Sequence, residues 1–249
     1  MMNRLLRLSG ETGVILLAFL LWWRLSDRSE SLFFPALRDM LTDAWSYWTS
    51  PAGWADMAST LGNIIAGFVD GLAAGIGGAL LLGRLRALMV MLIPLIELLR
   101  ATPNVILLPI TISMLGIGNE MKQLNIAIAV FCPVFITTLD GYRHIPSPLR
   151  ETARAFLLRP WIQFLYVTLP ALLPAMLTGI HIAIPLSLIT SITSEMVGET
   201  RGIGSVILSA QYRFDITRMW SGVLLLALLG FSVNKVFSVM KTAIIRRLH

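Results

Sequence analysis

The sequence predicts an all-α polytopic membrane protein with about six transmembrane helices. Its 249 residues are 56% hydrophobic and only 14% charged, whereas soluble domains carry roughly a quarter charged residues. The mean hydropathy is +0.76. Six spans of about 20 residues each, together with their loops, account for the length. The sequence therefore leaves no room for a large soluble domain.

Residues 1–56 are predicted to hold one span and an amphipathic helix on the outer surface. The apolar run 13–25 follows Arg4 and Arg7 and has no small-residue cleavage site after it. This predicts an uncleaved span with its N-terminus inside. Over 35–48, apolar and polar side chains occupy opposite helical faces, which predicts an interfacial helix. A short helix packed on protein is the alternative.

Residues 57–249 are predicted to form a core of five further spans. They are expected over 57–83, 87–115, 123–139, 169–194 and 219–238. Prolines at positions 94, 103 and 109 interrupt the span over 87–115. That span is therefore expected to be kinked or broken.

A glycine stripe in the span over 57–83 predicts close helix packing. Gly67, Gly71 and Gly75 recur at four-residue intervals and share one helical face. Small residues at this spacing let another helix approach closely.

The distribution of charge predicts that both termini are cytoplasmic. Six spans then place twelve basic and three acidic residues on the cytoplasmic side, and seven basic and nine acidic residues outside. Basic residues are enriched in cytoplasmic loops of membrane proteins. Topology thus explains the net charge of +6, and no nucleic-acid partner is expected.

The common motifs of catalytic and cofactor sites do not occur in the sequence. It contains no G-x-x-x-x-G-K-[ST], so the chain has no ATP-binding P-loop of its own. The glycine clusters fit no dinucleotide fingerprint, and no nucleophile elbow is present. The single cysteine, Cys132, and three scattered histidines offer no metal-ligand spacing. We expect neither an enzyme nor a cofactor or metal site in this chain.

The stretch of about residues 144–170 is predicted to be a cytoplasmic loop made of two short helices. Ser147 is a favourable N-cap and Pro148 a favourable first helical residue. A second short helix is expected from Pro160, entering the membrane at Pro170. Such a loop offers a partner both a charged face and an apolar face.

The motif in this loop resembles a known family. Glu151-Thr152-Ala153 followed by Val167-x-Leu169-Pro170 resembles the E-A-A…G…I-x-L-P loop of ABC importer permeases, at the family's spacing. The resemblance extends over about residues 57–240 and is greatest to the nitrate/sulfonate/taurine branch. Supporting stretches are Ala66-Gly67-Phe68, Leu98 to Pro103, Ser194 to Gly198, and Gly202 to Gly204.

The resemblance implies a type I ABC importer permease fold in a bacterial inner membrane. It implies a second permease copy in a homodimer, two separate ATPase subunits that bind ATP and Mg²⁺, and a periplasmic or lipid-anchored solute-binding protein. The expected substrate is a small anion such as an alkanesulfonate, taurine or nitrate. The loop would dock on an ATPase and pass its closure to the membrane helices. The implied coupling residues are Arg150, Glu151, Thr152, Ala153, Arg154, Leu157, Arg159, Val167, Leu169 and Pro170.

Several positions depart from the family pattern. Thr152 replaces the usual Ala, and Leu157 replaces the Gly that makes the turn between the two loop helices. Because a proline disfavours helical geometry in the residue before it, Pro160 predicts that the break shifts two or three residues beyond 157. Asn63 and Asp70 also differ from the residues usual in the family.

Charged side chains within predicted spans are candidates for functional sites. Arg100 could face the translocation path and favour a small anion, or it could pair with Glu97, three residues earlier on the helix. Asp70 could line a cavity, or it could hydrogen-bond across the glycine stripe.

The candidate path or gate also includes Thr102 and Pro103, and Glu195 at the outer end of the span over 169–194. Glu195 could belong to an outer gate or be an ordinary interfacial carboxylate. The glycine-containing stretch 198–204 after it predicts an irregular segment that dips toward the membrane and is covered by protein or water.

Two other functional classes compete with an importer permease. A secondary transporter would use Asp70 and the proline-interrupted span as its coupling site, but the inverted repeat expected of one is not seen. A membrane scaffold would use the loop only to recruit a cytoplasmic partner. It would tolerate apolar replacements of Asp70 and Arg100, which a transporter would not.

Overall fold

The structure is a computed structural model that describes residue 17 and residues 20–28, 31–197 and 201–248, apart from the side chains of residues 86, 87, 150, 154, 247 and 248. Within these residues it is helical and has no strand. The α-helices are α1 Leu37–Trp48, α2 Pro51–Arg84, α3 Arg86–Ala101, α4 Leu108–Leu115, α5 Asn119–Arg143, α6 Ser147–Ala155, α7 Pro160–Gln163, α8 Leu169–Glu195, α9 Ile203–Tyr212 and α10 Ile216–Leu248. A 3₁₀ turn, Asn104–Leu107, precedes α4, and a π-helical segment, Phe164–Thr168, joins α7 to α8.

Four helical units of the described chain are long and apolar enough to cross a membrane. They are Pro51–Arg84, Asn119–Arg143, Pro160–Glu195 and Ile216–Arg246. The pair Leu88–Ala101 and Asn104–Leu115 is bent by 97° at its break and is either a fifth, broken span or a re-entrant loop. The described helices thus lie where the five core spans were predicted, and the proline-rich one is broken. Of the predicted first span, 13–25, the structure describes residues 17 and 20–25, which are helical.

Helix α5 lies at the centre of the core, between α2 and α8. The glycine stripe of α2 faces α5: a Cβ added at Gly67 would lie 2.6 Å from the carbonyl oxygen of Gln123, and one at Gly71 would lie 2.5 Å from that of Ala127. At Gly75 the added atom would lie 3.0 Å from the Cβ of Val134. The absent side chains thus allow nearly direct backbone contact between the two helices.

Amide side chains continue this contact at the end of the glycine stripe nearer the start of α2. The side chain of Asn63 donates to Asn119 at 3.2 Å and accepts from Gln123 at 3.1 Å. Asn63 is buried. The pairing satisfies a polar group that would be costly to leave unpaired in an apolar surrounding.

Helix α1 packs on protein along part of its apolar face. Leu37, Met40 and Trp48 are buried, whereas Leu41 is 41% and Trp45 76% exposed. The helix is also tied to the start of α10 by charged hydrogen bonds described below. The buried side of α1 fits the alternative prediction of a helix packed on protein. Its exposed apolar side chains fit the predicted interfacial helix.

The break between the loop helices does not shift as the sequence predicted. It lies at Leu157, which has a left-handed φ of 49°, and the amide of Leu158 donates to the carbonyl of Ala153 at 3.1 Å. This is a Schellman ending of α6. Its backbone hydrogen bond forms whatever the side chain at the left-handed position, so Leu157 takes the place of the usual glycine. Pro160 begins α7, as predicted.

Candidate functional site

A proline creates the bend that opens the centre of the fold. Pro103 follows Thr102, whose backbone is extended with ψ of 122°, as expected for a residue before proline. Helix α3 therefore ends at Ala101, and the chain turns by 97° into α4. The bend leaves Arg100 in the last turn of α3.

An upper cavity of about 440 Å³ lies against this bend, between α3, the 3₁₀ turn, α5 and α8. Most of its lining is aliphatic. Its polar lining includes Arg100, Thr102, Asn104, Thr190 and Thr193. Among the described residues that line the upper cavity, Arg100 alone carries a charge. The cavity can therefore offer a small anion one guanidinium and several hydroxyl or amide groups.

A lower cavity of about 280 Å³ lies between α3 and α5, nearer the C-terminal end of α5. It is lined by four charged residues, Glu97, Arg100, Asp140 and Arg143. Arg100 and Ile136 line both cavities. Arg100 thus lies at the boundary between the two.

In the described part of the chain, the charged residues within the predicted spans form no ion pair with one another. In the described part of the chain, Glu97 and Arg100 form no ion pair within 4.0 Å, so the expected pairing is not formed. Asp70 is exposed on α2 and lines neither the upper nor the lower cavity. It also forms no hydrogen bond across the glycine stripe to any described residue. Thr102 and Pro103 line the upper cavity together with Arg100.

Three side chains, two from the start of α2 and one from the C-terminal end of α8, accept hydrogen bonds from the start of α9. We call this group the outer clamp. The amide of Gly202 donates to Asp56 at 3.1 Å, that of Ile203 to Thr60 at 2.9 Å, and that of Gly204 to Glu195 at 2.9 Å. The two carboxylates face the positive end of the helix dipole. Glu195 is 1% exposed, so it is a buried capping group and not an exposed interfacial carboxylate.

The glycines of the outer clamp leave room for the carboxylate of Glu195. Gly202 has φ of +124°, and a Cβ there would lie 2.5 Å from the carboxyl carbon of Glu195. A Cβ at Gly204 would lie 2.6 Å from the carbonyl oxygen of Ile192. Residues 202–204 are thus covered by protein as predicted, but residues 203–204 are not irregular, because they begin α9. Gly198 lies outside the described residues.

Helix α1 joins the outer clamp through Tyr47. Its hydroxyl donates to the second oxygen of Asp56 at 2.8 Å. Burial of the phenol and the negative charge of Asp56, acting through this hydrogen bond, raise the pKa of Tyr47 to about 12. The clamp therefore connects α1, α2, α8 and α9.

The predicted coupling loop projects apolar side chains into solvent. Phe156 is 74%, Leu157 89% and Trp161 66% exposed, and the motif residues Glu151 and Thr152 are exposed next to them. An exposed apolar patch with a charged rim is typical of a protein-binding surface. Of the other predicted coupling residues, Ala153 is buried, Val167 and Leu169 are half-buried, and Arg159 and Pro170 are exposed. The backbones of Arg150 and Arg154 lie in α6, and their side chains lie outside the described part.

The coupling loop is joined to the upper cavity by one continuous helical unit. Residues Pro160–Glu195 run without a break through the π-helical segment, and Thr190 and Thr193 near their end line the upper cavity. At the start of the unit, the guanidinium of Arg84 lies 5.8 Å from the centre of the Phe164 ring. The start of this unit is thus in contact with α2, and its end forms part of the cavity wall.

Sequence reasoning missed several residues of these sites. The helical face of α2 that carries the glycine stripe continues toward its N-terminus with three polar residues, Asp56, Thr60 and Asn63. Their spacing could have identified them as buried polar residues of the same face. Asp140 was not recognised as a site residue. Asn104, Thr190 and Thr193 have no distinguishing pattern, because their position depends on the bend at Pro103.

Residues 71–249 match the model of a protein family described as "binding-protein-dependent transport system inner membrane component". The chain belongs to this family. It is 27% identical over 238 residues to the taurine transport system permease protein TauC of Escherichia coli, covering 92% of this chain and 86% of that protein. It is 28% identical over 200 residues to the nitrate import permease protein NrtB of Leptolyngbya laminosa, covering 80% and 69%.

The fold of the permease is also found among solved structures. A chain of the inward-facing MetNI methionine ABC transporter matches with a TM-score of 0.63 at 20% identity, covering 81% of this chain and 99% of that one. The permease thus has the type I ABC importer fold expected from its sequence. It is a multi-pass inner-membrane transport subunit of an ABC importer. The two other functional classes, a secondary transporter and a membrane scaffold, are therefore excluded.

Proposed function

We propose that the permease imports a small anion, such as an alkanesulfonate, taurine or nitrate, through the upper cavity. The observation that carries this proposal is the single charge there: among the described lining residues Arg100 alone is charged, and it shares the cavity with aliphatic side chains and with Thr190 and Thr193. A guanidinium binds sulfonate or nitrate oxygens through charge-assisted hydrogen bonds. The names of the taurine and nitrate relatives support the same substrate class.

A second copy of the permease completes the path in this proposal. Glu97 and Arg100 are exposed in the single chain although they lie in a predicted span. Charged side chains are costly against lipid and normally face a protein interior or a water-filled cavity. The exposed side of α3 therefore belongs on an enclosed path, and a homodimer would enclose it.

The coupling loop is the docking site of a separate ATPase in this proposal, with one ATPase for each permease copy. ATP and Mg²⁺ are bound by the ATPases, and a solute-binding protein delivers the anion from outside. Docking would cover the exposed Phe156, Leu157 and Trp161. The continuous unit Pro160–Glu195 would then carry ATP-driven movement to the upper cavity.

Replacing Arg100 tests the proposed substrate class. We expect Arg100→Gln to lower uptake of the anion by about ten- to a hundredfold at subsaturating concentration, since a hydrogen bond to a charged group contributes about 1.5–3 kcal/mol. Uptake of radiolabelled taurine, methanesulfonate and nitrate is measured in vesicles holding the complete transporter. Arg38→Gln is the matched control, because Arg38 is exposed on α1 and lines neither cavity. Equal uptake by both variants would contradict the proposal.

A further inference from the structure

We propose that Glu97 and Asp140, in the lower cavity, release the transported anion by competing with it for Arg100. The inference rests on the proposed function, because it requires an anion bound at that guanidinium. It assigns a role to two carboxylates that the family motif does not include.

The two cavities follow one another along α3 and α5. On α5, Ala129 and Cys132 line the upper cavity and Asp140 lines the lower one, two to three turns further on. By the predicted orientation, the lower cavity is the cytoplasmic one. Since Arg100 lines both, an anion leaving the upper cavity toward the cytoplasm passes this side chain.

The charges of the two cavities make Arg100 a switch. A guanidinium turned upward gives the upper cavity its one positive charge among the described residues. A guanidinium turned downward meets Glu97 and Asp140 and leaves the upper cavity uncharged. Because Arg100 lines both cavities, both positions are next to this long side chain.

No described partner holds the two carboxylates in place of Arg100. Neither Glu97 nor Asp140 forms a side-chain ion pair within the described chain. Arg143, the other basic residue of the lower cavity, donates to the sulfur of Met89 at 3.1 Å. Both carboxylates are therefore available to the guanidinium when the anion departs.

An anion bound to a guanidinium away from bulk water is difficult to release. Charges attract more strongly at low dielectric constant, and leaving a charge uncompensated there is costly. A carboxylate that takes the place of the departing anion removes this cost. With Arg100 turned downward, the lower cavity holds two acidic and two basic side chains, so the anion meets no net negative charge as it leaves.

The double variant Glu97→Gln/Asp140→Asn tests the inference in the complete transporter, reconstituted in vesicles with its ATPase and solute-binding protein. The probes are radiolabelled taurine, methanesulfonate and nitrate. We expect the maximal uptake rate to fall by about tenfold, within the range usual for coupling between sites, and KM to fall as well. Release of preloaded anion from the ATP-free complex should slow by a similar factor. Arg100→Gln should instead raise KM.

Asp39→Asn is the matched control, because Asp39 is an exposed carboxylate on α1 and lines neither cavity. Its uptake and release should equal those of the wild type. Unchanged maximal rate and release in the double variant, with active wild type, would overturn the release role and leave the proposed function intact. A wild-type transporter that imports none of the three anions would overturn both. If the double variant does not fold, as judged by its unfolding temperature, each single variant is measured in the same way.

Discussion

At the scale of single residues, one charged pair fixes α1 to the start of α10. The guanidinium of Arg218 donates from Nε and Nη2 to the carboxylate of Asp43 at 2.8 Å each, and the hydroxyl of Ser221 donates to the same carboxylate at 2.7 Å. The guanidinium also lies 4.0 Å from the centre of the Tyr47 ring. Burial raises the pKa of Asp43, but the hydrogen bonds and the positive charge of Arg218 outweigh burial and hold this pKa below its ordinary value.

This lowered pKa predicts a pH dependence of stability. An unfolded aspartate has a pKa of about 3.9, so the stabilisation from Asp43 is fully present above pH about 4. It is lost as the pH falls through the lower folded value. We expect Asp43→Asn to destabilise the protein by about 1 kcal/mol at pH 7, a value discounted for partial exposure. Thermal unfolding in detergent between pH 7 and pH 3 measures the difference from wild type.

The matched control for this measurement is Asp39→Asn on the same helix, where the carboxylate is exposed. Its unfolding temperature should follow that of the wild type at every pH. A difference between Asp43→Asn and wild type that stays constant down to pH 3 would show that the charge of Asp43 contributes nothing to the docking of α1.

Individual residues of the coupling motif were identifiable from the sequence because their spacing is local. The charge of Arg100 could also be recognised within an apolar run, although the residues that share its cavity could not. Its neighbours Thr190 and Thr193 are about 90 residues away along the chain, and only the bend at Pro103 brings them to one cavity. Contacts between distant segments leave no spacing that a single sequence can reveal.

At the scale of helices, the two kinds of glycine on α2 allow a direct comparison. Gly71 faces α5, where an added Cβ would lie 2.5 Å from the carbonyl oxygen of Ala127, whereas nothing lies within 4 Å of one added at Gly77. The first glycine is required by packing. The second only lowers the intrinsic helix propensity.

We expect Gly71→Ala to destabilise the permease by about 1–3 kcal/mol, the usual cost of forcing atoms into a packed contact. Gly77→Ala should leave stability unchanged or increase it by up to about 1 kcal/mol. Thermal unfolding of the two variants in the same detergent compares them. If both variants unfold at the wild-type temperature, the contact between α2 and α5 is looser than the distances indicate.

Elements were more predictable than their endings. Hydropathy located the core spans, and the prolines located the break after Ala101. The turn at Leu157 was predicted in the wrong place, because the break was placed from Pro160, whereas the chain turns at Leu157 in a left-handed conformation. The Schellman hydrogen bond from Leu158 to Ala153 stabilises the ending without one. A backbone motif of this kind carries no side-chain signal when its preferred residue is absent.

At the scale of the whole molecule, the coupling loop and the outer clamp lie at opposite ends of one helical unit. Pro160–Glu195 has 36 residues, a length of roughly 54 Å at 1.5 Å per residue. The exposed Trp161 lies at its start, and the buried Glu195, which holds α9, lies at its end. If a partner binds the loop as proposed, we expect its movement to reach both the upper cavity and the outer clamp.

Reversing the charge of the loop motif tests this mechanical connection. Glu151 is exposed on α6, so Glu151→Lys should leave membrane insertion and the unfolding temperature unchanged. We expect it to detach the ATPase in a mild-detergent pull-down, or to lower uptake by about tenfold or more while ATP hydrolysis continues. Asp27→Lys, the same reversal at another exposed carboxylate, is the control and should retain both the ATPase and uptake. Normal ATP-driven uptake by Glu151→Lys would place the coupling contact elsewhere, because a lysine cannot reproduce the hydrogen bonds that a carboxylate accepts.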